Sequence, residues 1–214
     1  MLRALLLACS AATFAAAPLA AAARTFSNPT PIAIPVGGGA SSPYPSDILV
    51  SGIAEPLASV TVTLREFGHT WPADVDVLLV GPGGENLILM SDVGAGIPVS
   101  GVTLVFSDAA SSPLASSEIT SGTWRPSNQA IVGADSFPPP APVPSSATAL
   151  AAFVGTNPNG LWSLYVVNDS AGDEGVIAGG WSLRVPEPGP AGSLAAVVVL
   201  LGVAALGRGG RPRP

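Results

Sequence analysis

The stretch HTWPADVDVLLVGPGGENLILMSD, residues 69 to 92, decides how this chain folds. Two apolar runs, 74 to 80 and 86 to 91, flank Pro82-Gly83-Gly84, and such residues end a strand and turn the chain back on itself. The stretch reads as a β-hairpin. A register with Val80 opposite Leu87 places Asp76 opposite Ser91 and brings Asp92 beside Asp74 and Asp76; a slip by one residue stays open. Asp74 and Asp76 share one face of the pleated strand in either case. The chain's single histidine, His69, and Trp71 lead into the hairpin.

Short apolar runs separated by turn residues continue on both sides. DILVSGI (47 to 53), SVTVTLREF (59 to 67), DVDVLLV (74 to 80), NLILMS (86 to 91) and GVTLVFSD (101 to 108) predict five early strands, and LWSLYVV (161 to 167) and GGWSLRV (179 to 185) two later ones. In SVTVTL the alternation puts Val60, Val62 and Leu64 on one face and Thr61 and Thr63 on the other, as in a half-buried strand. VDVLLV lacks that alternation and predicts deeper cover. Setting Val167 opposite Val176 makes the last two strands a hairpin in which Trp162 faces Trp181 across the loop NDSAGDEG. NPTPIAIPVGGG (28 to 39) predicts an extended segment at most, with Pro35 suited to an edge. Residues 109 to 148 predict a long surface loop, with Trp124 docking part of it and Pro138 to Pro144 in polyproline form. Strands at this spacing without long amphipathic helices predict an all-β fold, a jelly-roll β-sandwich.

Composition agrees. The 214 residues hold no lysine, 25 Gly and 23 Pro, and only 10% are charged, which favours turn-rich β structure. Between residues 24 and 185 four arginines face thirteen acidic residues, a formal balance of −9. Such a body repels nucleic acid and tolerates cations.

The ends read as addresses. Met1 to Ala23 has the form of a signal peptide cut by signal peptidase: Arg3, an apolar stretch from Ala4 to Ala17, and small residues at Ala21, Ala22 and Ala23. LLAC at 6 to 9 is the alternative, a lipoprotein box, although only five apolar residues precede Cys9. With an ordinary signal Cys9 leaves with the leader, and the body from residue 24 has no thiol chemistry. At the other end stand Pro186-Glu187-Pro188, an apolar run from Ala191 to Gly207, and a basic tail with Arg208, Arg211 and Arg213. That run is long enough for a short transmembrane helix, with the arginines cytoplasmic and residues 24 to 185 outside. In its three parts the segment 186 to 214 resembles the PEP-CTERM sorting signal of Gram-negative bacteria; an ordinary tail anchor is the other reading. The resemblance implies an exosortase as partner, membrane contact before processing, and release or display at the cell surface among exopolysaccharide.

VTVTLREFGHTWPADVDVLLVGPGGENLILMSDVG, followed by NPNGLWSLYVVNDSAGDEGVIAGGWSLRV, resembles the P domain (Homo B domain) of kexin and furin over roughly residues 27 to 185. His-Thr-Trp before Asp74 and Asp76, LLVGPGG, and the closing Gly-x-Trp-x-Leu-x-Val, loop, Asp-x-Gly, Gly-Trp-x-Leu carry the resemblance by their order and spacing. It implies a galactose-binding-like jelly roll. In convertases the catalytic triad belongs to the subtilase domain that precedes the P domain, so no protease activity is implied here.

The residues themselves argue against catalysis. His69 has no Gly-x-Ser-x-Gly elbow, His-Glu-x-x-His or Ser-x-x-Lys to work with, and its ring is expected to bond loop backbone. Asp74, Asp76 and Asp92 at one corner repel one another unless solvent or a cation separates them. Calcium, which takes six to eight oxygens, is the candidate cofactor, and a solvated margin is the alternative. The second acidic loop, with Asp169 and Asp173, departs from an EF-hand pattern; Asp173 is expected to stabilise its own turn, although calcium is known in some P domains. The expectation is a non-catalytic secreted module with a structural or adhesive role. A carbohydrate-binding module, with Tyr44, Trp71 and Trp124 exposed on one face, and a protease accessory domain are the alternatives.

Overall fold

The computed structural model describes residues 23–53, 56–129 and 135–186. The expected signal peptide up to Ala22, the helix 191–207, Glu187, Pro188, Arg208, Arg211 and Arg213 lie outside the described residues. Among those described, no helix is long and apolar enough to cross a membrane.

The fold is all-β, built from two sheets. In chain order the strands are β1 (Ala23–Asn28), β2 (Ile32–Ile34), β3 (Gly39–Ala40), β4 (Ser46–Val50), β5 (Thr61–His69), β6 (Val75–Val80), β7 (Asn86–Ser91), β8 (Val99–Phe106), β9 (Gly122–Trp124), β10 (Ser127–Asn128), β11 (Gly160–Asn168), β12 (Gly175–Ile177) and β13 (Trp181–Pro186), with 3-10 turns at Pro72–Asp74 and Leu150–Phe153. One sheet runs β1-β13-β5-β12-β2, with β8 paired to β5 and β9 to β8; the other runs β10-β7-β6-β11-β3, with β4 also on β11. Their inner faces share one core in which Val62, Leu64, Phe67, Val77, Leu79, Leu87, Trp162 and Trp181 are all fully buried. Val60, Val62 and Leu64 turn inward as the alternation predicts, and Thr61 and Thr63 remain half-buried.

The hairpin forms with a different register. Gly81 N–H donates to Glu85 C=O (2.8 Å) and Gly84 N–H to Gly81 C=O (3.0 Å), so a four-residue turn sets Val80 opposite Asn86 and Leu79 opposite Leu87. A bulge between Val77 and Leu78 then puts Val77 opposite Met90, which restores the expected offset of Asp76 and Ser91.

Trp162 and Trp181 are not a cross-strand pair. β11 lies between β6 and the β3–β4 edge, with Val167 opposite Asp76, whereas β12 and β13 lie on β5 in the other sheet. The loop after β11 crosses from one sheet to the other because each strand has an inner apolar face that needs the opposite sheet as its cover. Trp162 packs against Phe153 (centroids 5.0 Å) and donates to Pro158 C=O (2.9 Å); Trp181 donates to Ser46 Oγ (3.0 Å). β12 and β13 lie along the same side of β5, interrupted by a bulge at Ala178–Gly180 (Gly180 φ +63°) opposite Arg65 and Glu66.

β6 is covered on both faces, and the chain supplies the second cover itself. Leu78, Ile88, Tyr165 and Val167 form an outer cluster capped by Phe137 and packed by Tyr44 and Ala141. The proline segment is therefore not a free polyproline rod: it turns at Pro138–Ala141 (Ala141 N–H to Pro138 C=O, 3.2 Å), and Tyr44 Oη donates to Pro138 C=O (2.9 Å). Trp124 packs half-buried against the main core, as a docking residue should.

Candidate acidic site

The C-terminal ends of β7 and β11 meet the N-terminal end of β6 at one corner. Because β11 is antiparallel to β6, Asn168 stands opposite Val75, and Asp169 N–H donates to Asp74 C=O (2.9 Å). Asp92 follows β7 in the left-handed region (φ +56°), a conformation that aspartate tolerates better than most residues. Ser91 Oγ lies 2.8 Å from Asp135 Oδ1 and 3.4 Å from Asp92 Oδ2, and Asn128 Nδ2 donates to Asp135 Oδ2 (2.6 Å). Asp76, Asp92, Asp135 and Asp169 thus line a common hollow of about 320 Å³ together with Asn168 and Ser136.

The electrostatics follow from this crowding. Asp76 is 2% exposed, and burial pushes its carboxyl up to about 8; Ser91 opposes the shift, and Asp135, Asp169 and Asp92 add to it. Burial, then Asp169, Asp173 and Asp92, push Asp74 up to about 6. Asp169 is raised by burial and by Asp92 and Asp135. All the charges acting on these three groups are carboxylates.

Of the expected trio, Asp76 and Asp92 line the hollow together with Asp169 of the second acidic loop, whereas Asp74 ends the 3-10 turn before β6 and lies outside the lining, where Asp169, Asp173 and Asp92 act on its charge. Asp173 sits at the rim, where Thr70 Oγ1 donates to its Oδ1 (2.8 Å), while Asn168 Nδ2 holds its carbonyl (2.8 Å). Its carboxylate thus ties the loop to the residue after His69 instead of bonding only its own turn. Asp135 was not legible in the sequence: it stands in a loop of small residues and prolines with no strand period to place it.

His69 is 2% exposed, with Nδ1 2.8 Å from Trp71 C=O, and burial lowers its pKa. Nδ1 also stands 3.1 Å from Trp71 N–H, so the ring bonds loop backbone, the role expected of it. Trp71 is 47% exposed with its ring against Gly96, and Tyr44 and Trp124 are half-buried. Among the described residues, no three His, Cys, Asp or Glu side chains converge as a ready-made metal cage.

No family model matches the chain, and no curated protein matches it. Among solved structures it is similar to the serine protease of Aeromonas sobria (14% identity, TM-score 0.39, covering 79% of this chain and 27% of that one). It is likewise similar to that protease in complex with its chaperone (16% identity, TM-score 0.36, again 79% and 27%). The chain spans 27% of the length of these structures.

Proposed function

We propose that the protein is a non-catalytic, secreted or surface-displayed jelly-roll module of P-domain type, with a structural or adhesive role outside the cell, and that its acidic corner takes calcium. The observation that carries the calcium reading is the burial of Asp76 among Asp92, Asp135 and Asp169. Like charges gathered in one hollow are costly unless protons or a cation neutralise them. The donors are carboxylate, carboxamide and hydroxyl oxygens, the chemistry that a hard cation of calcium's size prefers, although the side chains must draw inward to ligate it. A non-catalytic role is supported by His69, whose ring is turned into loop backbone rather than toward a nucleophile.

Export through the N-terminal leader and sorting by an exosortase at Pro186-Glu187-Pro188 belong to the same proposal and rest on the sequence resemblance. Expression with and without an exosortase, followed by mass spectrometry of the mature C terminus, tests that part by itself.

The calcium reading is tested by the thermal melt in EDTA and in millimolar calcium. Calcium at about a hundred times its Kd adds about 2.7 kcal/mol, an upward shift of several degrees. The shift is expected to vanish in Asp76→Asn with Asp92→Asn. Superimposable melts of the parent protein would leave the corner as a proton-neutralised margin.

A further inference from the structure

The outer edge of β7 is closed at both ends and open in the middle. At one end Ser145 Oγ donates to Asn86 C=O (2.6 Å), and Ser145 N–H donates to Asn86 Oδ1 (2.6 Å). At the other, β10 runs parallel to β7, with Ser127 beside Met90 and Asn128 beside Ser91, and Gln129 N–H donates to Ser91 C=O (3.2 Å). Residues between these clamps have β6 on one side only.

The direction of their backbone groups follows from the hairpin. Antiparallel pairs alternate between those that exchange hydrogen bonds and those that do not. Gly81 and Glu85 are hydrogen-bonded, so Val80–Asn86 is an open pair, Leu79–Leu87 a bonded one, and Leu78–Ile88 open again. The outward bond from Asn86 C=O to Ser145 agrees with this phase. Ile88 N–H and C=O therefore point away from β6, on the side where β10 is paired only with Met90 and Ser91. They face a cleft of about 430 Å³ lined by Ile88 and, on its two walls, by Pro126, Ser127, Gln129, Ser146 and Thr148.

We propose that this cleft is a binding site for an extended peptide segment, whose backbone would add to the β7 edge at Ile88. A donor and an acceptor on one residue, presented in strand geometry, match another strand's amide and carbonyl. Between the two clamps the edge is open from Leu87 to Leu89, about 7 Å, room for two to three extended residues. None of the described residues lining the cleft is charged, so recognition rests on backbone hydrogen bonds and on small uncharged side chains against proline and hydroxyl walls. Among the described residues no aromatic ring lines the cleft, which favours a peptide over a saccharide. The site is separate in chemistry from the acidic corner and does not depend on calcium there.

Amide hydrogen exchange by NMR on the full chain tests the proposal, with the neutral peptide acetyl-Ser-Val-Thr-Val-Ser-amide as probe and its Asp-substituted and Lys-substituted counterparts beside it. In the free protein the Ile88 amide is expected to exchange faster than that of Leu87, which is paired to β6. Neutral peptide at about ten times its Kd is expected to slow Ile88 about tenfold, equally in EDTA and at high salt. Ser146→Trp, at an exposed wall position, is expected to abolish that slowing with the melting temperature unchanged. An Ile88 amide as protected as Leu87 without peptide would overturn the proposal, as would unchanged Ile88 exchange with all three peptides at low millimolar concentration.

Discussion

Asp76 reaches the interior because Val167 stands beside it on β11 and the segment carrying Asp135 closes over the same corner. Its folded pKa of about 8 lies above the ordinary value near 3.9, so the native state prefers the protonated acid. The stability this gives is fully present below about pH 4 and is lost as the pH rises through the folded value. Without calcium the melting temperature is thus expected to fall by several degrees between pH 5 and pH 8, and Asp76→Asn to flatten the profile. Calorimetry in EDTA across that range checks this; parallel profiles would show that Asp76 does not titrate as its burial demands. Calcium must displace the same proton, so its affinity is expected to rise over this interval, with protons released on binding. Titration in two buffers of different ionisation enthalpy measures the release. Asp76 was legible on its strand, but Asp74, expected to share that strand face, ends the 3-10 turn before β6 instead. That Asp76 would be buried was not legible, because burial depends on Asp135, 59 positions further along the chain.

At the scale of elements, the strands read from apolar runs are β4 to β8, β11 and β13, and β2 lies in the segment read as extended at most. β1 was missed despite its six residues, because ARTFSN has no apolar period, and β3, β9, β10 and β12 have two or three residues each and too little sequence for a period to show. They are strands only because a neighbour such as β5 or β11 lies alongside. The proline segment belongs here too: Asn86 holds it by accepting from Ser145 N–H (2.6 Å) and donating to Val143 C=O (3.3 Å). Asn86→Ala is expected to cost about 1–3 kcal/mol in urea denaturation and to expose residues 138 to 144 to proteolysis. Unchanged cleavage would mean that the Phe137 contact alone holds the segment. Gly180 has φ +63°, and a methyl group there would meet Asn28 C=O and Pro29. Gly180→Ala is expected to lower stability by more than about 1 kcal/mol, read from the same denaturation curves.

For the whole molecule, the two sheets are one thermodynamic unit as far as their core is concerned, since Trp162 from one and Trp181 from the other are buried in the same cluster. Unfolding is expected to be a single transition, with far-UV circular dichroism and tryptophan fluorescence giving one midpoint. Separate midpoints would mean that the sheets come apart first.

The sequence by itself determined the all-β class, most of the long strands, the inward face of β5 and the place of Asp76 and Asp92 on the hairpin, because strand period and turn residues are local properties. Only the tertiary structure decided that Trp162 and Trp181 belong to opposite sheets, that Asp169 and Asp135 join Asp76, and that β10 pairs with β7 only at Met90 and Ser91. Each of these depends on which distant segment lies beside a given strand. That choice comes from burying apolar faces across the whole molecule, and no local window of residues contains it.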